Sequence, residues 1–151
     1  MTDHQRRIVV GVDGSEGSKD ALRWAKREAE LTSASLDVIM TWEVPVVPYG
    51  VWAGYDASTT TETILKETVA EVVGGDNSTD VVLTAVEGRP VPVLLNAAKK
   101  ADLLVVGSRG HGPLTAFLLG SVSLQCVSHA PCPVVVVPHG PIESESPESV
   151  T

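Results

Sequence analysis

The residues best suited to chemistry are Gly107-Ser108-Arg109-Gly110-His111-Gly112, which follow an apolar run, and Gly120-Ser121-Val122-Ser123 a little downstream. Glycines let backbone N–H groups come close to a phosphate, and a helix opening near Gly120 adds N–H groups that carry partial positive charge. Ser121 and Ser123 bring hydroxyls, and Arg109 and His111 bring charge. The chemistry these types suit is anion binding. The same residues also suit tight turns with Ser121 as a helix cap, so spacing alone leaves both uses open.

Asp13, in Val12-Asp13-Gly14-Ser15, is the second candidate. A carboxylate near a polyphosphate is unfavourable unless it takes a ribose hydroxyl or a magnesium ion. Its other use is a turn held by its own side chain. Neither stretch carries the P-loop pattern GxxxxGK[ST], and Gly11-Val12-Asp13-Gly14 departs from the GxGxxG of dinucleotide folds. The chain has no GxSxG elbow, no kinase signature and no paired histidines at metal-binding spacing. No catalytic residue is assigned, and slow phosphoryl transfer stays open, because it needs mainly positioning and charge neutralisation. His129 and His139 have no motif and read as structural or exposed. Trp42, Tyr49, Trp52 and Tyr55, four of the six aromatics, cluster after the second strand. They are suited to closing over a base or covering a dimer surface, and burial against the neighbouring helix is the plainer expectation.

These residues need a scaffold, and the apolar pattern supplies one. Ile8 to Val12 reads as a strand, and Ala21, Leu22, Ala25 and Ala29 follow at helical spacing. Ser35 to Trp42 is a second strand, followed by a long irregular stretch, with Pro45, Pro48, Gly50 and Gly54, to about Ser58. A helix through Ile64, Leu65, Thr68, Val69 and Val72 ends at Gly74-Gly75-Asp76-Asn77, and Asp80 to Val86 is a third strand. Pro90 opens a helix with Val93, Leu94, Ala97, Ala98 and Ala101 on its buried stripe. Leu103 to Val106 is apolar throughout, as a strand covered on both faces must be. A helix from about Gly120 to His129 and a strand from Pro133 to Val137 complete five alternations. Alternation of this kind predicts an α/β fold: a single domain with an open, five-stranded, mostly parallel sheet and helices on both faces. Ligands of such sheets sit beyond the carboxyl ends of the strands.

Composition sets the outer bounds. The 151 residues carry 19 Asp or Glu against 11 Lys or Arg, a formal charge of −8, and 43% hydrophobic residues. That is enough apolar content for a packed core and too acidic for a long nucleic acid, which is bound by neutralising its phosphates. No Asp or Glu occurs from Leu103 to Ile142, so the proposed anion loop and its helix are free of negative side chains. No apolar run reaches the ~18 residues of a membrane span, and the N-terminus lacks the features of a secretory signal, so no membrane partner and a cytoplasmic location are expected. Cys126 and Cys132 read as plain core cysteines. A domain over residues 1–138 and a mobile acidic tail over 139–151 are expected.

The pattern Gly107-x2-Gly110-x9-Gly120-Ser121 resembles the ATP-binding motif of the universal stress protein family. The likeness extends to Val12-Asp13-Gly14-Ser15, to Pro131-Cys132-Pro133-Val134-Val135-Val136-Val137, and to the order of elements from Ile8 to Pro138. It implies a Rossmann-like sheet of order 3-2-1-4-5 and a stress-response protein that binds ATP or another adenine nucleotide with Mg²⁺. On that likeness, backbone near Val12 and Thr41 holds the adenine, and Asp13 meets the ribose or phosphate side and the metal. Gly107, Gly110, Gly120, Ser121 and Val122 line the ribose and phosphates. Homodimerisation through Val134–Val137 and an unidentified client protein are also implied. A dimer that works without nucleotide is the alternative, and a flavodoxin-like electron carrier a third.

Overall fold

The computed structural model describes residues 4–44, 46–51, 56–75, 78–109 and 119–139. In chain order these form β1 (Arg7–Gly11), α1 (Glu16–Thr32), β2 (Ser35–Trp42), β3 (Val46–Val47), β4 (Gly50–Val51) and α2 (Ala57–Val73). Then follow β5 (Val81–Glu87), α3 (Pro90–Ala98), β6 (Leu103–Gly107), α4 (Ser121–His129) and β7 (Val134–Val137).

Ile8-Val9-Val10 and Leu104-Val105-Val106 are apolar at every position, and all six are buried. Only a strand covered on both faces satisfies that pattern. β1 and β6 accordingly pair in parallel at the centre, with β2 and β5 beyond β1 and β7 beyond β6. The order β5-β2-β1-β6-β7 is the expected 3-2-1-4-5 of the five long strands. Alternate residues along them feed two cores. Val10, Leu36, Val38 and Val105 pack with Ala21, Leu22 and Ala25 of α1 and with Leu65 and Val69 of α2. Val9, Ile39, Leu104 and Val106 pack on the other face with Leu94 and Ala98 of α3 and Cys126 of α4. Each fully buried Leu or Val contributes about 1.5–3 kcal/mol.

The helices begin and end where the chemistry of their termini directs. Ser15 caps α1 by accepting from the Ser18 amide, and Asp56 caps α2 by accepting from the Thr59 amide. Pro90 occupies the first turn of α3, where its missing N–H costs nothing. α2 stops at Gly74, whose amide reaches the Ala70 carbonyl.

Some details differ from the sequence reading. The stretch after β2 is not wholly irregular, since β3 and β4 form a two-residue antiparallel hairpin there. β5 runs from Val81 to Glu87, one residue later than expected, and α4 starts at Ser121 with Gly120 as its cap. Tyr49 is fully exposed rather than buried against a helix, while Trp42 is half-buried at the end of β2. Trp52, Tyr55 and the tail beyond His139 lie outside the described residues.

Candidate functional site

Parallel strands end on one edge, and here the topology opens that edge. α1 and α2 carry the chain outward from β1 on one face, and α3 returns it across the sheet to β6 on the other. Connections from β1 and β6 therefore leave in opposite directions, and a crevice forms between their carboxyl ends. A cleft of ≈ 290 Å³ lies at that point. Its inner lining is apolar, with Val12, Ile39, Leu94 and Val106 all buried, while Asp13 and Ser121 are exposed at its mouth.

Asp13 enters this cleft from a tight turn. Its Oδ1 accepts from the Ser15 amide at 2.9 Å and from the Ser15 hydroxyl, and the Asp13 amide donates to Ser18 Oγ at 3.2 Å. Gly14 sits between them at φ +82°, a conformation that side chains rarely adopt. Ser18 Oγ donates in turn to the Ser15 carbonyl at 2.9 Å. Asp13 thus uses its own side chain to make the turn, and the buried Ser18 hydroxyl fixes where the carboxylate stands.

On the opposite wall, Ser108 joins three elements. Its amide donates to the Val137 carbonyl at 2.9 Å, and its carbonyl accepts from the Gly120 amide at 2.7 Å. The buried Ser123 hydroxyl also reaches the Ser108 and Gly120 carbonyls, at 3.2 and 2.9 Å. Ser123 therefore positions the loop, its proton committed to those carbonyls. Ser121 is the first helical residue, and the cap residue Gly120 brings no capping side chain to α4. The first-turn amides at Ser121, Val122 and Ser123 have no acceptor within the helix and carry its partial positive charge. No acidic side chain occupies that turn.

Nine of the twelve residues singled out in the sequence line this one cleft: Val12, Asp13, Thr41, Gly107, Arg109, Gly120, Ser121, Val122 and Ser123. Gly110, His111 and Gly112 lie outside the described residues. Gly11, Ser18, Ile39, Pro90, Leu94 and Val106 also line it and were not picked out as site residues. A signal for Pro90 and Leu94 did exist, because a helix opening just after a parallel strand must start on the ligand edge. Among the described residues no group of three or more His, Cys, Asp or Glu is arranged to hold a metal ion, and no helix is long and apolar enough to cross a membrane.

Residues 5–138 match the model of the universal stress protein family. The chain belongs to that family. A universal stress protein of Thermus aquaticus is 36% identical over 137 residues, covering 87% of this chain and 98% of its own length. One from Mycobacterium tuberculosis is 35% identical over 144 residues, covering 88% of this chain and 48% of the relative. The chain thus spans about half the length of the mycobacterial universal stress proteins it matches. Among solved structures, a universal stress protein in complex with cAMP superimposes with a TM-score of 0.70 at 28% identity, over 91% of this chain and all of that one. A universal stress protein from Archaeoglobus fulgidus shares the fold, with a TM-score of 0.68 at 22% identity, over 87% of this chain and 98% of that one.

Proposed function

We propose that the cleft binds an adenine nucleotide and that the protein works in the stress response as a nucleotide-dependent regulatory or binding module. The observation that carries this reading is the meeting of an apolar pocket with an uncapped helix N-terminus at the reversal point of the sheet. The base goes among Val12, Ile39 and Leu94, with backbone at Val12 and Thr41 reading its edge. The phosphates go to Gly107, Arg109, Gly120 and the first-turn amides of α4, where backbone donors and an acid-free surface favour an anion. Asp13 takes a ribose hydroxyl. The likeness to a universal stress protein solved with cAMP supports an adenine ligand, and ATP is the nucleotide proposed here.

Mg²⁺ fits only as a passenger of the nucleotide. Among the described residues Asp13 is the one acidic side chain in the cleft lining, and a single carboxylate with phosphate oxygens and water is an ordinary magnesium environment. The phosphates would supply the rest of the coordination. Hydrolysis is secondary to binding in this reading.

Calorimetric titration of ATP, AMP and cAMP against the wild type and Gly120→Val tests the reading. Micromolar-range binding is expected in the wild type, with at least about tenfold loss in the variant, the equivalent of one charge-assisted hydrogen bond. Equal affinities would remove the loop from the explanation.

A second reading, an interaction protein that pairs with itself, rests on a different surface. β7 has β6 on one side and is the last strand of the sheet, while Leu124 and Val127 on the adjoining α4 are 53% and 50% exposed. An edge strand of the described sheet beside apolar side chains suits strand addition by a second copy.

A further inference from the structure

β5 is the last strand on the side of the sheet opposite β7, and among the described residues no strand lies beyond it. The Asp80 carbonyl accepts from the Leu36 amide, and the Gly88 amide donates to the Trp42 carbonyl, so residues 80 and 88 both face β2. Backbone groups alternate in direction along a strand, so Val81, Leu83 and Ala85 turn their amides and carbonyls away from the sheet. Val82 and Leu83, on opposite faces of β5, are 50% and 40% exposed. Beside this edge α2 leaves a groove of ≈ 310 Å³ lined by Glu62, Leu65, Lys66, Leu83, Thr84 and Ala85. None of these residues lines the cleft described above.

An edge strand with exposed apolar side chains is a template for a further strand, and charge selects which strand can take the place. Asp80 and Glu87, both exposed, stand at the two ends of β5, and the groove beside it carries Glu62 with Lys66. Two copies of β5 paired antiparallel would bring Asp80 of one copy beside Glu87 of the other at both ends, where like charges repel. The other edge is different in kind, because β7 lies in the stretch without acidic residues. β7 therefore suits a second copy, and β5 resists one.

We propose that the β5 edge docks an extended segment of another protein, with apolar residues at alternate positions and Lys or Arg at both ends. The backbone of that segment continues the sheet through the outward groups of Val81, Leu83 and Ala85. Its apolar side chains extend the surface at Leu83 and the groove, and its cations meet Asp80 and Glu87. The surface is separate from the nucleotide cleft and does not depend on what occupies it.

Capped, fluorescent peptides matching the seven residues of β5 in length test this. One reads Lys-Val-Thr-Val-Thr-Val-Lys, and the other carries Glu at both ends. Anisotropy titration with the full-length protein should show binding of the Lys-ended peptide, at least about fivefold tighter than the Glu-ended one, and weakening as ionic strength rises from about 0.05 to 0.5 M. Asp80→Lys with Glu87→Lys should reverse the preference. Leu83→Pro removes an amide that faces outward and should abolish binding. Circular dichroism checks that this variant folds, and where it does not, the charge reversal decides alone. Failure of the wild type to bind the Lys-ended peptide overturns the inference, as does equal affinity for the two peptides. Undiminished binding by folded Leu83→Pro also overturns it, by moving the peptide off this edge. Wild-type self-association that disappears in folded Leu83→Pro would give the edge to a second copy instead, and likewise overturn it.

Discussion

At the scale of single residues, the cleft is shaped by buried side chains that were not singled out for chemistry. Ser18 accepts from the Asp13 amide and donates to the Ser15 carbonyl while 5% exposed. Ser18→Ala strands that amide, so a loss of about 1–2 kcal/mol in urea unfolding is expected, together with weaker nucleotide binding. Leu94 is 3% exposed, and its methyl groups would lie 2.9 and 3.1 Å from a Cβ at Gly11. Leu94→Ala should cost about 2–5 kcal/mol through the cavity it leaves. The anion-binding candidates were legible through their likeness to the universal stress protein motif, since glycine and serine at that spacing suit tight turns and a helix cap equally well. Ser18 and Leu94 were not, for contrary reasons: a serine three residues beyond a cap looks like any helical serine, and a leucine in an apolar stripe looks like core. Only the crossing of α3 over β1 and β2 decides that Leu94 also faces a ligand.

At the scale of elements, two carboxylates stitch strands together on the edge away from the cleft. Asp102 accepts from the Arg7 amide at 2.9 Å, joining the start of β6 to β1. That bond first, and His4 beside it, hold the Asp102 carboxyl below its usual range. A carboxyl lowered in the folded state adds stability above the unfolded value and loses it as pH falls through the folded one. The melting temperature should therefore be level above about pH 5 and fall below about pH 4, with a shallower fall in Asp102→Asn. An identical acid limb in that variant would place the sensitivity elsewhere. Asp37, 6% exposed on β2, bonds the Arg7 guanidinium on β1 and accepts from Thr84 on β5 at 3.0 Å, spanning three strands. Asp37→Asn should cost about 1.5–3 kcal/mol in denaturant unfolding. The alternation of strand and helix, and with it the sheet, followed from runs such as Leu103–Val106 and from Pro90. The β3–β4 hairpin did not follow, because two-residue strands among prolines and glycines carry no periodicity.

For the molecule as a whole, the edge position of β7 in the described sheet and the exposed Leu124 and Val127 predict self-association. Sedimentation of the wild type should show a dimer, and Leu124→Glu with Val127→Glu should shift it toward monomer, whereas an unaltered mass would move the contact to another surface. The charge of −8 bears on the same scale. Its long-range field disfavours polyanions, while residues 103–142, without one acidic side chain, keep the field weak at the cleft. The bond from the Gly120 amide to the Ser108 carbonyl at 2.7 Å has a wider meaning in this setting. It works as a hem, closing both ends of the anion loop against each other before the chain rejoins the fold. Residues inserted between those ends would leave the register of β6 and the start of α4 undisturbed, at only about 0.6 kcal/mol for each doubling of length. The two ends are in that sense the frame of a cassette, whose length can change while the sheet behind it stays the same.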